Sequence, residues 1–292
     1  MDIQDIYADA LGLAFSALGL FGLFTLTWII SIPMKNLGII DIVWGMSFVI
    51  QALITYFYYA AKLSVTIWQV ALFSGLIIFH GLRLSIFLAV RNCGHPEDRR
   101  YKILFREKYG EKIWWLSYFV VFFPQLLISF IVGFTIFSFN TVNDESKITL
   151  PVFIIGCFIM LFSTLYESIA DQQLFNFKKN PENKGKCLNH GLWYFCRHPN
   201  YFGESIFWVG VYIVNLSALI YYSIFGSILM ILTINFVSGT PITEKNIQVR
   251  SEEYKKYIRT TSSFWPWCKL KDKEEIEQQR VKVSDTSKSS VI

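Results

Sequence analysis

Residues 114–140 read WWLSYFVVFFPQLLISFIVGFTIFSFN, 27 consecutive positions without Asp, Glu, Lys or Arg. A hydrocarbon layer about 30 Å thick needs roughly 20 apolar residues in a helix, so this stretch is long enough to cross a bilayer. Outward from it, comparable apolar windows fall near 12–34, 38–60, 65–90, 148–174 and 201–238. The last is long enough for two helices with a break near Asn215–Ser217. Of the 292 residues 53% are hydrophobic and 17% charged, and the apolar ones come in unbroken blocks rather than scattered over a soluble core. The expected fold is all-α: a polytopic membrane helix bundle of about seven transmembrane helices, or six if one pair is re-entrant.

Charge orients the bundle. Of the 27 Lys and Arg residues, seven lie in 91–113, five in 175–200 and eleven in 241–292. A seven-span path puts these segments on one side, which the positive-inside bias makes cytoplasmic. The N-terminus is expected outside and the C-terminus in the cytoplasm. Asp2, Asp5 and Asp9 precede the first span and the first basic residue is Lys35, unlike the basic start of a cleavable signal peptide, so the first span is read as retained. The net charge of +5 resides where topology alone would place it and does not indicate nucleic acid as a partner. Cys93, Cys157, Cys187, Cys196 and Cys268 are odd in number and lack C-x-x-C spacing, which supports neither a disulfide framework nor a zinc site.

The expected organisation is one integral domain over 1–270, with cytoplasmic loops at 91–113 and 175–200. A cytoplasmic helix and interface segment over 241–270 follows, and 271–292 reads as a disordered tail. The loop RNCGHPEDRRYKILFREKYG at 91–110 is the first segment able to hold a polar ligand.

Ionisable residues at membrane depth cost about 2.5–3.5 kcal/mol each on insertion scales, so each needs a partner or a purpose. They are Asp41, Arg83, Glu167, Asp171 and Glu204. Asp41 opens the second span in DIVWG, and His80 and Arg83, three apart on the third, share a face. An Asp41–Arg83 ion pair stapling two helices is one reading; the wall of a substrate cavity is the other. In ESIADQQLFNFK the residues Glu167, Asp171 and Lys178 recur along one stripe, and two carboxylates four apart require a cation or donors between them. In LWYFCRHPNYFGES, Pro199 suits a helix start, with Asn200, Glu204 and Trp208 following on one face. Arg197 and His198 sit at that start, where unpaired N–H groups favour anions. With Arg91, Arg100, Arg106 and Lys178 they are candidates to hold phosphates. Neither G-x-G-x-x-G nor G-x-x-x-x-G-K-[ST] occurs, so a nucleotide would be held by membrane helices and loops. No G-x-S-x-G elbow occurs, and four scattered histidines make no metal site.

DIVWG at 41, HGLRLSIFLAVRN and EDRRY over 80–101, ADQQL at 170, LWYFCRHPNYFGE at 192 and EEYKKYIRTTSSFWP at 252 together resemble the DUF1295 membrane proteins. That family lies in the superfamily of steroid 5-alpha-reductases and sterol reductases. The resemblance implies a seven-helix domain that binds NADPH from the cytoplasmic side and delivers hydride to an activated double bond of a steroid or enoyl lipid. It implies that Asn200 to Glu204, including Tyr201, contact the cofactor, together with Asp171 and Tyr254. The chain departs from the reductase pattern by carrying Glu167 and Phe175 where those enzymes have an Asn and an Arg. The proton donor needed to polarise a substrate carbonyl would come from Tyr101, His80 or Asp41. Two other classes stay open: an S-adenosylmethionine-dependent lipid or isoprenylcysteine-type methyltransferase, which shares an R-H-P-x-Y-x-G element, and a non-enzymatic lipid-binding protein. The host membrane is expected to be the endoplasmic reticulum in a eukaryote and the plasma membrane in a bacterium.

Overall fold

The computed structural model describes residues 3–63, 67–92, 94–238, 252–270 and 272. The expected helix bundle is found: the described residues are almost entirely helical, and beyond the helices they form one isolated bridge, Cys196 with Ser262. The principal helices are α1 (Ile3–Met34), α2 (Ile39–Leu63), α3 (Trp68–Asn92), α4 (Phe123–Asn140), α5 (Leu150–Lys179), α6 (Pro199–Ser217), α7 (Ile224–Leu232) and α8 (Glu252–Thr260). Five helical runs are long and apolar enough to cross a membrane: Asp9–Met34, Ile39–Lys62, Trp68–Asn92, Lys102–Asn140 and Leu150–Lys179. A shorter apolar run, Tyr221–Asn235, follows α6. Between them the chain turns after Ser217 with Leu219 at φ 60°, at the break expected near Asn215–Ser217.

The chain forms two compact units. One comprises Met1–Phe162 and Ile206–Leu232, the other Ser163–Ser205 and Thr233–Ile292.

In the first unit, α2 and α3 meet backbone to backbone. A Cβ on Gly45 would lie 2.5 Å from the Gly81 carbonyl oxygen, and one on Gly81 would lie 2.6 Å from that of Gly45. Paired glycines allow this contact where lipid offers no hydrophobic drive for helix association. Along α2, Ser47, Gln51, Thr55 and Tyr59 recur every fourth residue and turn a polar stripe inward. Gln51 Nε2 donates to the Ser129 carbonyl at 3.2 Å, Ser129 Oγ to Ser47 Oγ at 2.7 Å and Asn140 Nδ2 to Thr55 Oγ1 at 2.7 Å. Ser74 Oγ donates to Asn140 Oδ1 at 3.0 Å, and Tyr59 donates to Asp9 at 2.6 Å. Gly133 leaves the space that the Gln51 amide fills. The outward faces carry Leu18, Phe57, Ile86, Phe158 and Phe225, all more than half exposed, as expected where lipid is the solvent.

The run into α4 is irregular. It begins at Lys102, well before the expected start at 114, and contains π-turns at Lys102–Arg106 and Tyr118–Phe122. Pro124 explains the second, since it has no N–H to give the carbonyl four residues earlier.

In the second unit, α5 continues through Lys179, past the expected end at 174. The following loop is pinned on two sides. On the α5 side, Leu192 N donates to Gln173 Oε1 at 2.9 Å and Trp193 Nε1 donates to the Ala170 carbonyl at 3.0 Å. From the tail, Arg197 N donates to the Ser262 carbonyl at 2.9 Å and Trp267 N to that of Phe195 at 3.0 Å. Phe202 packs its ring against Phe264 and Trp265. The segment expected as a helix and interface region over 241–270 contains α8, while 241–251 and all of 271–292 except Asp272 lie outside the described residues.

Candidate functional site

Of the ionisable residues singled out in the sequence, Asp41 lies in a polar centre of the first unit and Glu167, Asp171 and Glu204 lie together in the second.

In the first, the turn between α1 and α2 is held from the loop after α3. Glu97 Oε1 accepts from Leu37 N at 2.8 Å, capping the start of α2, and the Glu97 carboxylate takes both Nε and Nη2 of Arg106 at 2.8 and 2.9 Å. Arg106 Nη2 also donates to the Lys35 carbonyl at 2.9 Å, and its guanidinium lies over the Trp114 ring. Asp41, in the first turn of α2, accepts from Tyr101 Oη at 2.6 Å and from Arg100 Nη2 at 2.8 Å, and Arg100 Nε donates to Asp98 at 3.0 Å. Asp41 and Tyr101, both proton-donor candidates, are thus brought together. The partner that neutralises Asp41 is Arg100, which corrects the Asp41–Arg83 staple: the loop folds back over the start of α2, and its guanidinium reaches the carboxylate. Arg91 donates from Nε to Asn92 Oδ1 at 3.1 Å.

Burial disfavours the charge of Arg100, but Asp41 and then Asp98 outweigh it and raise its pKa above the ordinary value. Burial likewise works against Asp98, and the hydrogen bond and charge of Arg100 hold it below the usual carboxylate range. For Tyr101, burial acts first and the Asp41 charge second, pushing the phenol well above its ordinary value. Its proton is therefore firmly held and directed at Asp41. His80, the third candidate, is buried in α3 with its ring stacked on Phe207, centroids 3.7 Å apart. Because Gly81 packs on Gly45 and Val49, His80 lies one to two turns deeper along α2 than Asp41.

The second centre arises where α6 begins against α5. A Cβ on Gly203 would meet Glu167 Cβ at 2.8 Å and its backbone at 3.1 Å, so the Asn200–Glu204 turn lies flush on the Glu167–Asp171 turn. That approach puts Asn200 Nδ2 at 3.2 Å from Asp171 Oδ1. Asn200 Oδ1 is also buried and accepts no hydrogen bond among the described residues. Glu167, Asp171, His198 and Glu204 are all buried. The His198 ring stacks on Tyr201 at 5.3 Å and 8°. Lys178 lies in the last turn of α5, and Arg197 is fixed through its backbone to Ser262. Tyr254 lies on α8 with its ring 6.1 Å from that of Tyr257.

Sequence reasoning missed Glu97, Gln173 and Tyr257. Glu97 stands in the quoted HPEDRRY stretch, where a carboxylate before two arginines is a usable signal. Tyr257 follows Tyr254 by three in EEYKKY, on the face of α8 that turns inward. Nothing in the local sequence marks Gln173.

A chain whose described residues fold into helices, five of them of membrane-crossing length, is a polytopic membrane protein. The chain belongs to the family described as protein of unknown function DUF1295, which it matches over residues 27–261. It is 29% identical over 99 residues to the Delta(14)-sterol reductase of Arabidopsis thaliana, covering 30% of this chain and 26% of that one. It is 30% identical over 98 residues to 3-oxo-5-alpha-steroid 4-dehydrogenase 1 of Rattus norvegicus, covering 30% of this chain and 38% of that one. The chain thus matches about a quarter to two fifths of the length of these curated relatives. No solved structure matches at the same stringency.

Proposed function

We propose that this protein reduces an activated C=C bond of a hydrophobic lipid or steroid with NADPH. The observation that carries the reading is the Asn200–Asp171 pair. A half-buried amide is oriented by a carboxylate through its nitrogen, while its oxygen is buried and suited to accept from a donor such as a ribose hydroxyl or a carboxamide N–H. The names of the two relatives support the reductase class.

A reduced nicotinamide, when bound, would supply the hydride. The chain's own residues have these roles. Asn200 and Asp171 fix the polar face of the cofactor, with Tyr201 and Glu204 from the same turn and Tyr254 from α8. Arg197 and His198 before the first turn of α6, with Lys178, hold the phosphates, where helix N–H groups favour anions. Arg91 is a further candidate. Arg100 and Arg106 already engage carboxylates, so their contribution is to hold Asp41 and the loop in place. Tyr101 is the proposed proton donor to the substrate through its Oη, held by Asp41 and regaining a proton from solvent after turnover. His80 is the alternative donor.

The test is thermal stabilisation of the detergent-purified protein by NADPH, NADH and S-adenosylmethionine, because a ligand that binds only the folded state raises its stability. The expected result is a shift with NADPH that is weakened in Asn200→Ala and Glu204→Gln, both still folded. A shift with S-adenosylmethionine alone would move the reading to methyl transfer, and no shift with any of the three would leave lipid binding without turnover.

A further inference from the structure

We propose that Tyr257 is a positioning residue for the cofactor, holding the loop from which the Asn200 helix starts; this rests on the reading of the second unit as the NADPH site. Gly191–Tyr194 is a single 3-10 turn, and the carbonyls at its end have no helical continuation to satisfy them. Tyr257 is 5% exposed, and its hydroxyl donates to the Trp193 carbonyl and lies 3.4 Å from that of Cys196. One phenol from α8 thus reaches two carbonyls three residues apart, immediately before Arg197 and His198. The Trp193 indole is in turn fixed to the Ala170 carbonyl on α5, next to Asp171, and Asp171 is the partner of Asn200. The path from Tyr257 to Asn200 therefore runs through Trp193, Ala170 and Asp171, all within one unit. Burial first, then Cys187 and Cys196, raise the phenol above its ordinary value, so it remains a donor at any physiological pH.

A tyrosine that only packed would lose little on Tyr257→Phe, since the ring stays. A positioning hydroxyl makes three linked demands on the full chain in detergent. Tyr257→Phe is expected to weaken NADPH binding about tenfold while kcat at saturating NADPH changes less than twofold. Amides 192–198 are expected to exchange with deuterium faster in the same variant. Replacement of Tyr257 by 4-aminophenylalanine, which puts an N–H donor at the same place, is expected to restore both. Wild-type NADPH affinity in Tyr257→Phe, weaker binding without faster exchange, or no rescue by the amino side chain would each overturn the inference. A second measurement needs no variant: NADPH is expected to slow exchange of amides 192–198 in the wild type, and if they ignore the nucleotide the inference falls even should Tyr257→Phe not fold. Absence of NADPH binding in the wild type would instead overturn the proposed function.

Discussion

Asp41 sits in the first turn of α2, where the helix dipole favours a carboxylate, and spends its two oxygens on Arg100 and Tyr101. Asp41→Asn removes the charge and keeps the shape. It is expected to cost about 1–2 kcal/mol, toward the low end for hydrogen bonds to charged groups because the Asp41 and Arg100 side chains remain 21% and 27% exposed. Urea or thermal unfolding in detergent checks this. Tyr101 carries a separate pH signature. Its folded pKa lies above its unfolded value of about 10, so the stabilisation is complete below that pH and is lost as pH rises toward the folded value. Melting temperature followed from pH 8 to 11 is expected to fall less steeply in Tyr101→Phe than in the wild type. Both residues were legible in the sequence, Asp41 as a charge at a span end and Tyr101 within EDRRY. Their direct hydrogen bond, and the ion pair of Asp41 with Arg100 beside it, were not, because they join residues about 60 positions apart and depend on how the loop folds back.

At the scale of elements, the apolar windows were sufficient to locate the long helices, since length and hydropathy decide what crosses a bilayer. Their ends were less legible. α5 runs on through Lys179, past the apolar window, where Gln172 Nε2 donates to Asn176 Oδ1 at 2.7 Å and Asn183 Nδ2 to the Phe177 carbonyl at 3.0 Å, and the π-turn at Tyr118–Phe122 follows from the missing N–H of Pro124 rather than from hydropathy. Gly203 shows how one residue sets an interhelical distance. Gly203→Ala places a methyl 2.8 Å from Glu167 Cβ, with the Glu167 backbone at 3.1 Å, so the two turns must move apart. The expected cost is about 1–3 kcal/mol for overpacking. Because the separation opens the Asn200–Asp171 hydrogen bond, the NADPH-induced thermal shift is expected to shrink too. Gly22→Ala, on an open face with nothing within 4 Å, is the matched control and is expected to change neither quantity.

For the whole chain, the question is where the required sequence stops. Composition placed the boundary near Leu270, after which apolar residues are few. Two residues on, however, Asp272 is 5% exposed and its carboxylate takes Arg259 Nη2 at 3.2 Å and Nε at 3.3 Å, tying the tail back to α8. A charge that reads as part of a solvated run is thus a buried partner, and composition cannot tell the two apart. Leu270 N also donates to the Thr260 carbonyl at 2.8 Å, closing the same loop. A chain ending at Asp272 is therefore expected to melt and to respond to NADPH like the full chain. A chain ending at Arg250 loses Tyr257, Ser262 and Trp267, each of which bonds the loop carrying Arg197, and at about 1 kcal/mol per net hydrogen bond the second unit loses several kcal/mol with them. It is expected to retain membrane insertion, carried by the five long helices, and to lose the NADPH shift. Asp272→Ala separates the terms: Arg259 loses its buried carboxylate while the backbone bonds remain, so a partial fall in melting temperature with NADPH response preserved is the expected outcome, measured by thermal unfolding with and without the nucleotide.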